Sequence, residues 1–174
     1  MLQLVEATRG TKCHLPVVLA VGAGLRRGEA LGVRWGDIDL RTATVTVQRS
    51  LMQTAAGVVE KKPKTRNSER SIVLPAFAVN ELRAAWDARG PLTTVDSYVC
   101  CRADGSVLEP DTFSADFAAF IRQRELPKVR FHDLRHSHAT WLTAQGQHPK
   151  TISARLGHSS AAFTLDTYVH AFSD

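Results

Sequence analysis

Three extended runs follow one another in the first half of the chain with no helical stretch between them: TATVTVQRS, GVVEKKP and RSIVLP. β-Branched residues dominate them, alternating with polar ones in the first, as in half-buried strands. Strands joined by short connections pair antiparallel, because a parallel pairing needs a crossover of about a dozen residues or more. A small three-stranded antiparallel sheet is therefore predicted. The connection KTRNSE, between the second and third runs, reads as an exposed, mobile tip.

Everything on either side of these runs reads as helix. His14 to Val21 is a helix-compatible apolar run that Gly22 and Gly24 interrupt, and LRRGEALGVRW starts a second amphipathic segment that Asp37-Ile38-Asp39 closes. After Pro75 a helix is predicted over Phe77 to Arg89, ended by Gly90-Pro91. DSYVCCRADGSVLEP reads as extended chain with a turn at Asp104-Gly105, which makes Tyr98 a strand residue. Asp111 is expected to cap a helix through Arg124, and Phe131 to open another that Gly146 stops. Two more are expected, from Pro149 to Gly157 and from Phe163 to Phe172. The prediction is an α+β protein: one mostly helical domain over residues 1–174 with a small sheet.

The apolar fraction of 44% over 174 residues suffices for one domain with a proper core. No apolar run reaches membrane-spanning length, since LPVVLAVGAGL ends at Arg26 and Arg27. No signal-like segment opens the chain, so a soluble protein is expected. Cys100 and Cys101 are adjacent and would bridge only with strain, and Cys13 stands far from both, which fits a reduced cytoplasm. Lys and Arg outnumber Asp and Glu by 22 to 17, a net charge of +5 that favours a polyanionic partner.

The chemistry concentrates in FHDLRHSHATWL, from Phe131 to Leu142. At about 100° per residue, His132 and Arg135 lie about 60° apart and can share a cleft at the edge of the core. Leu134, Trp141 and Leu142 mark the neighbouring apolar face, with His138 in its middle as a hydrogen-bonded core histidine. His136 points further from the core. His132 and His136 also have the four-residue spacing of a zinc-binding helix, but Arg135 would set a cation beside the metal and no glutamate follows the first histidine. An arginine beside a histidine suits a phosphodiester: guanidinium donates two parallel hydrogen bonds to the non-bridging oxygens, and imidazole moves a proton. GLRRGEAL offers Arg26 and Arg27 for the same purpose, with Glu29 three residues after Arg26 and able to hold it.

Taken together, GLRRGEALGVRWGDIDL, PKTRNSERSIVLP, FHDLRHSHATWL, ARLGHSS and TLDTYVH resemble the ordered signature of the tyrosine recombinases, the phage integrase family. The match spans Gly24 to His170, and five motifs in the family's order are specific where none alone would be. The resemblance implies a recombinase catalytic domain of that family's fold. It also implies that Arg26 is the first catalytic arginine, Lys64 the hairpin lysine, His132 with Arg135 the His-x-x-Arg pair, His158 the second histidine position and Tyr168 the nucleophile. Glu29 then orients catalytic groups from behind, while Arg27, His136 and His170 are flank or scaffold.

The reaction so implied is cleavage and rejoining of double-stranded DNA through a covalent 3′-phosphotyrosyl intermediate, with no metal and no other cofactor. Its implied partners are double-stranded DNA and further protomers of the same protein in a synapse, without a membrane. Family members usually carry a preceding DNA-clamping domain and a tail beyond the tyrosine; both are expected to be missing here, leaving a monomeric piece that assembles no synapse alone. Two other readings stay open on the residues: a type IB topoisomerase-like enzyme relaxing one strand at a time, and a silent DNA-binding regulator.

Overall fold

A computed structural model describes residues 1–62, 69–89 and 93–157. Helices α1 (Leu2–Ala7), α2 (His14–Ala23) and α3 (Arg27–Gly32) open the chain. Strands β1 (Ile38–Asp39), β2 (Thr44–Val47), β3 (Ser50–Thr54), β4 (Gly57–Lys61) and β5 (Arg70–Val73) follow, and α4 (Ala76–Arg89), α5 (Pro110–Gln123), α6 (Phe131–Ala144) and α7 (Pro149–Leu156) complete the order. The architecture is α+β with small antiparallel sheets, as the sequence implies. None of the described helices is long and apolar enough to cross a membrane.

The sheets differ from expectation in membership. β1, β2 and β5 form the three-stranded sheet, with Val45 opposite Ile72 and Thr44 opposite Val73. The GVVEK run lies outside it, paired as β4 with β3 in a separate hairpin where Leu51 faces Glu60. The run TATVTVQRS is therefore split, its last residue already belonging to β3. Val45, Val47, Ile72 and Leu74 point from the three-stranded sheet into the core.

Helix α2 is the centre of the domain. It is apolar all round, so it is stable only where every side is covered, and Pro16 through Ala23 are all buried. It runs on through Gly22, where α4 comes so close that a Cβ would meet that of Ala78 at 2.9 Å. Gly24 ends it in the left-handed conformation (φ 67°), with its N–H on the Ala20 carbonyl. Helix α5 buries Phe113, Phe117, Phe120 and Ile121 at helical spacing. Its N-cap is Glu109, with Pro110 at the first helical position; Asp111 sits inside the first turn, where its charge complements the dipole. Phe113, Phe117 and Phe131 stack edge to face and offset, at 5.0 to 6.3 Å between centroids, and fix the start of α6. Ala139, Leu142, Ile152 and Leu156 then pack α7 on α6. The helix expected over Phe163 to Phe172, the KTRNSE tip apart from Glu69, and Gly90-Pro91 lie outside the described residues.

Candidate active site

The site gathers at the C-terminal end of α7. The last carbonyls of a helix have no intrahelical partner and carry the negative end of its dipole, so they attract cationic donors. Three arginines from distant parts of the chain serve three successive carbonyls here. Arg70 Nε donates to Arg155 O (2.8 Å), Arg135 Nη2 to Leu156 O (2.6 Å) and Arg26 Nη2 to Gly157 O (3.2 Å). Gly157 ends the helix at φ 65°, and a Cβ there would meet the Arg70 guanidinium at 3.0 Å. No side chain fits.

Arg26 is the N-cap of α3, and Glu29 reaches back to it. The Glu29 carboxylate accepts the Arg26 backbone N–H (2.9 Å) and Nη1 (2.9 Å), and both Nη groups of Arg70 (3.1 and 2.8 Å). Burial alone would raise the Glu29 pKa. The hydrogen bond and charge of Arg70, with those of Arg26, outweigh it and hold the carboxyl below its ordinary value. Arg135 lies deeper than the cleft edge expected for it, only 3% exposed, because its second anchor is the Gly24 carbonyl at 2.8 Å, at the buried end of α2.

His132 and His136 meet edge to face with centroids 4.9 Å apart. Their exposure is the reverse of the expected order: His132 is exposed and His136 half-buried. Partial burial lowers the His132 pKa, and so do His136, Arg135 and Arg26, with Asp133 opposing. The imidazole is thereby kept neutral at pH 7 and free to accept a proton. Positive neighbours on both sides also argue against a metal cation held by this pair. His138 is a core histidine as expected, 1% exposed, with Nδ1 donating to Val21 O (2.7 Å) and Nε2 accepting from Arg155 Nε (3.1 Å).

A cleft of about 140 Å³ opens between these elements, edged by Arg26, Glu29, Arg70, Gly157, Lys61 and Lys62. The structure brings Arg26, Glu29 and Arg135 to the end of α7, and His132, which lines a neighbouring hollow with Arg27, Ser114 and Arg130, lies near enough to feel the charges of Arg26 and Arg135. Lys64, His158 and Tyr168 lie outside the described residues. Arg27 is bound to Ser114 (2.6 Å) and Asp111 (3.1 Å) and ties α3 to α5. Arg70 was not anticipated, although a signal existed: it lies two residues before Ile72, on the inward face of its strand, where an arginine implies a buried anion.

In sequence and in fold the chain is similar to known proteins. The profile of the phage integrase family matches residues 1–174. The chain is 30% identical to a tyrosine recombinase XerC-like protein of Caldanaerobacter subterraneus subsp. tengcongensis, over 95% of this chain and 47% of that one. It is 33% identical to the ICEBs1 integrase of Bacillus subtilis, over 86% and 42%. In fold it is similar to the Tn1549 transposon integrase in complex with circular intermediate DNA, with a TM-score of 0.82 and 22% identity over 95% of this chain and 59% of that one. The catalytic domain of bacteriophage HP1 integrase is similar at a TM-score of 0.62, 18% identity and coverage of 98% and 83%. The chain spans about half the length of the curated relatives it matches.

Proposed function

The chain belongs to the phage integrase family, and on that footing we propose that residues 1–174 form the catalytic domain of a site-specific recombinase that cleaves and rejoins double-stranded DNA. The observation that carries this reading is the gathering of Arg26 and Arg135 at the end of α7, with His132 near enough to feel both charges. A phosphodiester in flight between two oxygens gathers negative charge on its non-bridging oxygens, and fixed cations stabilise that charge without reorganising. Arg26, 43% exposed, offers its guanidinium to the phosphate, and Arg135 adds its charge from the wall of the site.

Tyr168 is the nucleophile in this reading. Its hydroxyl, with an ordinary pKa of about 10, loses its proton as it attacks phosphorus, and His132 takes the role of the group that receives that proton. The Tyr168 oxygen bonds to the 3′ phosphate, and the 5′ oxygen leaves with a proton from Lys64. His158 adds a donor to the phosphate. A 5′ hydroxyl from another strand reverses the step, so no cofactor is consumed. Glu29 holds Arg26 from behind. Partners of the reaction are DNA and further protomers of the same protein in a synapse. The cytoplasm, where thiols stay reduced, suits the three free cysteines, two of them buried.

Tyr168→Phe tests this. The substitution removes one oxygen and keeps the ring, so DNA affinity should stay within about two-fold, since affinity rests on cationic contacts. The covalent adduct on a suicide substrate should vanish, and proteolysis of the parent adduct should leave DNA on the peptide containing TLDTYVH. Adduct formed by the variant, or DNA on the peptide containing Tyr98, refutes the assignment.

A further inference from the structure

We propose that Arg70 is a positioning residue for this reaction: it offsets the charge of Glu29, so that Arg26 keeps its positive charge for the phosphate. The inference rests on the reading of Arg26 as the phosphate grip.

Both oxygens of Glu29 are doubly engaged. Oε1 accepts from Arg26 Nη1 at 2.9 Å and Arg70 Nη1 at 3.1 Å, and Oε2 from the Arg26 backbone N–H at 2.9 Å and Arg70 Nη2 at 2.8 Å. The side chains of Arg70 and Glu29 are 8% and 9% exposed, whereas that of Arg26 is 43% exposed. Only Arg26 can reach a ligand. Two guanidinium cations share one carboxylate, which leaves one net positive charge, and it is displayed where Arg26 meets solvent. Without Arg70, Arg26 and Glu29 would form a neutral pair, and the free carboxylate oxygens would draw the Arg26 guanidinium into a two-pronged contact turned away from the cleft. The phosphate would then compete with Glu29 for Arg26. Arg70 prevents this from a buried position, fixed by its third hydrogen bond to Arg155 O.

The test compares Arg70→Met, Arg70→Lys and the double variant Arg70→Met/Glu29→Gln in the full-length protein. Single-turnover adduct formation on a suicide substrate at saturating DNA is measured beside DNA affinity and a thermal melt. Arg70→Met should slow adduct formation about 10- to 100-fold, the usual cost of losing a group that orients a functional residue. The DNA dissociation constant should move by no more than about three-fold, because one charge changes and no contact is lost. Adding Glu29→Gln removes the uncompensated anion and should recover at least about ten-fold in rate over Arg70→Met. Arg70→Lys, which keeps the charge and loses the fork, should stay within about ten-fold of the parent. Arg70→Met breaks a buried pair and can fail to fold; the Lys and double variants then carry the test. A double variant as slow as Arg70→Met, or an Arg70→Lys rate lower than that of the double variant, would overturn the proposal. Arg26→Ala forming adduct at the parental rate would instead overturn the reading of Arg26 on which it rests.

Discussion

Acidifying the protein from pH 7 to pH 4.5 should remove about 2 to 3 kcal/mol of stability through His138 alone. Burial pushes its pKa down to about 4; the Val21 carbonyl opposes this, and the charges of Arg155 and Arg135 add to it. Unfolded, the same imidazole titrates near its ordinary value of about 6.5. Between those two values the unfolded chain binds a proton that the folded chain refuses. Stability from this group is therefore full above about pH 6.5 and is lost as pH falls towards 4, at up to about 1.4 kcal/mol per pH unit. Protonation would also take away the Nε2 lone pair that Arg155 uses and set two cations face to face. The assay is urea unfolding of the parent and of His138→Gln at several values between pH 7 and 4.5. At pH 7 the variant should be less stable by about 1 to 3 kcal/mol, the cost of disturbing a buried hydrogen-bonded group. The gap should close as pH falls, because carboxylates common to both proteins cancel in the difference. A gap that stays constant from pH 7 to 4.5 refutes the reasoning.

Lys64→Ala should slow cleavage of ordinary DNA by about 10²- to 10⁴-fold, the range for a lost general acid. A substrate with sulfur at the bridging 5′ position, whose leaving group needs no proton, should be cleaved nearly as well by the variant as by the parent; equal impairment on both substrates removes Lys64 from that role. Adduct formation should survive excess chelator, because in the proposed reaction the charges of Arg26 and Arg135 take the part a metal would play; complete loss, restored by added zinc or magnesium, would show otherwise. Gly24→Ala should destabilise by about 2 to 4 kcal/mol, from left-handed backbone strain and from a methyl placed 2.7 Å from Leu156 and 2.8 Å from His138. Thermal melting measures it, and a neutral result would mean that α2 and α7 can part at little cost.

The helices were legible in the sequence because their signals are local. Phe131, Gly146, Pro149 and Gly157 mark α6 and α7 within a residue or two of their observed ends. Sheet membership was not legible, since β2 and β5 find each other across the whole β3–β4 hairpin and SLMQT has too few β-branched residues to announce a strand. In the site, Arg26, Glu29, His132 and Arg135 stand in recognisable motifs. Their true surroundings do not, because the partners of Arg26, Arg70 and Arg135 include backbone carbonyls at the end of α7, and a carbonyl leaves no trace in a residue alphabet. The depth of Arg135 has no sequence signal, and the inward place of Arg70 two residues before Ile72 signals a buried anion without saying that it is Glu29.

The three hydrogen bonds at the end of α7 close loops of 131, 85 and 21 residues. Such long closures form late, after the shorter contacts that make them affordable in entropy. A nascent chain still lacking residues 155–157 has every arginine of the site but nothing to hold the guanidiniums in register. The arginine cluster is thus assembled only when the end of α7 arrives, and a ribosome-bound or partly unfolded copy that lacks it carries the cations without their register. Completion of α7 therefore sets the moment at which the three guanidiniums come into register.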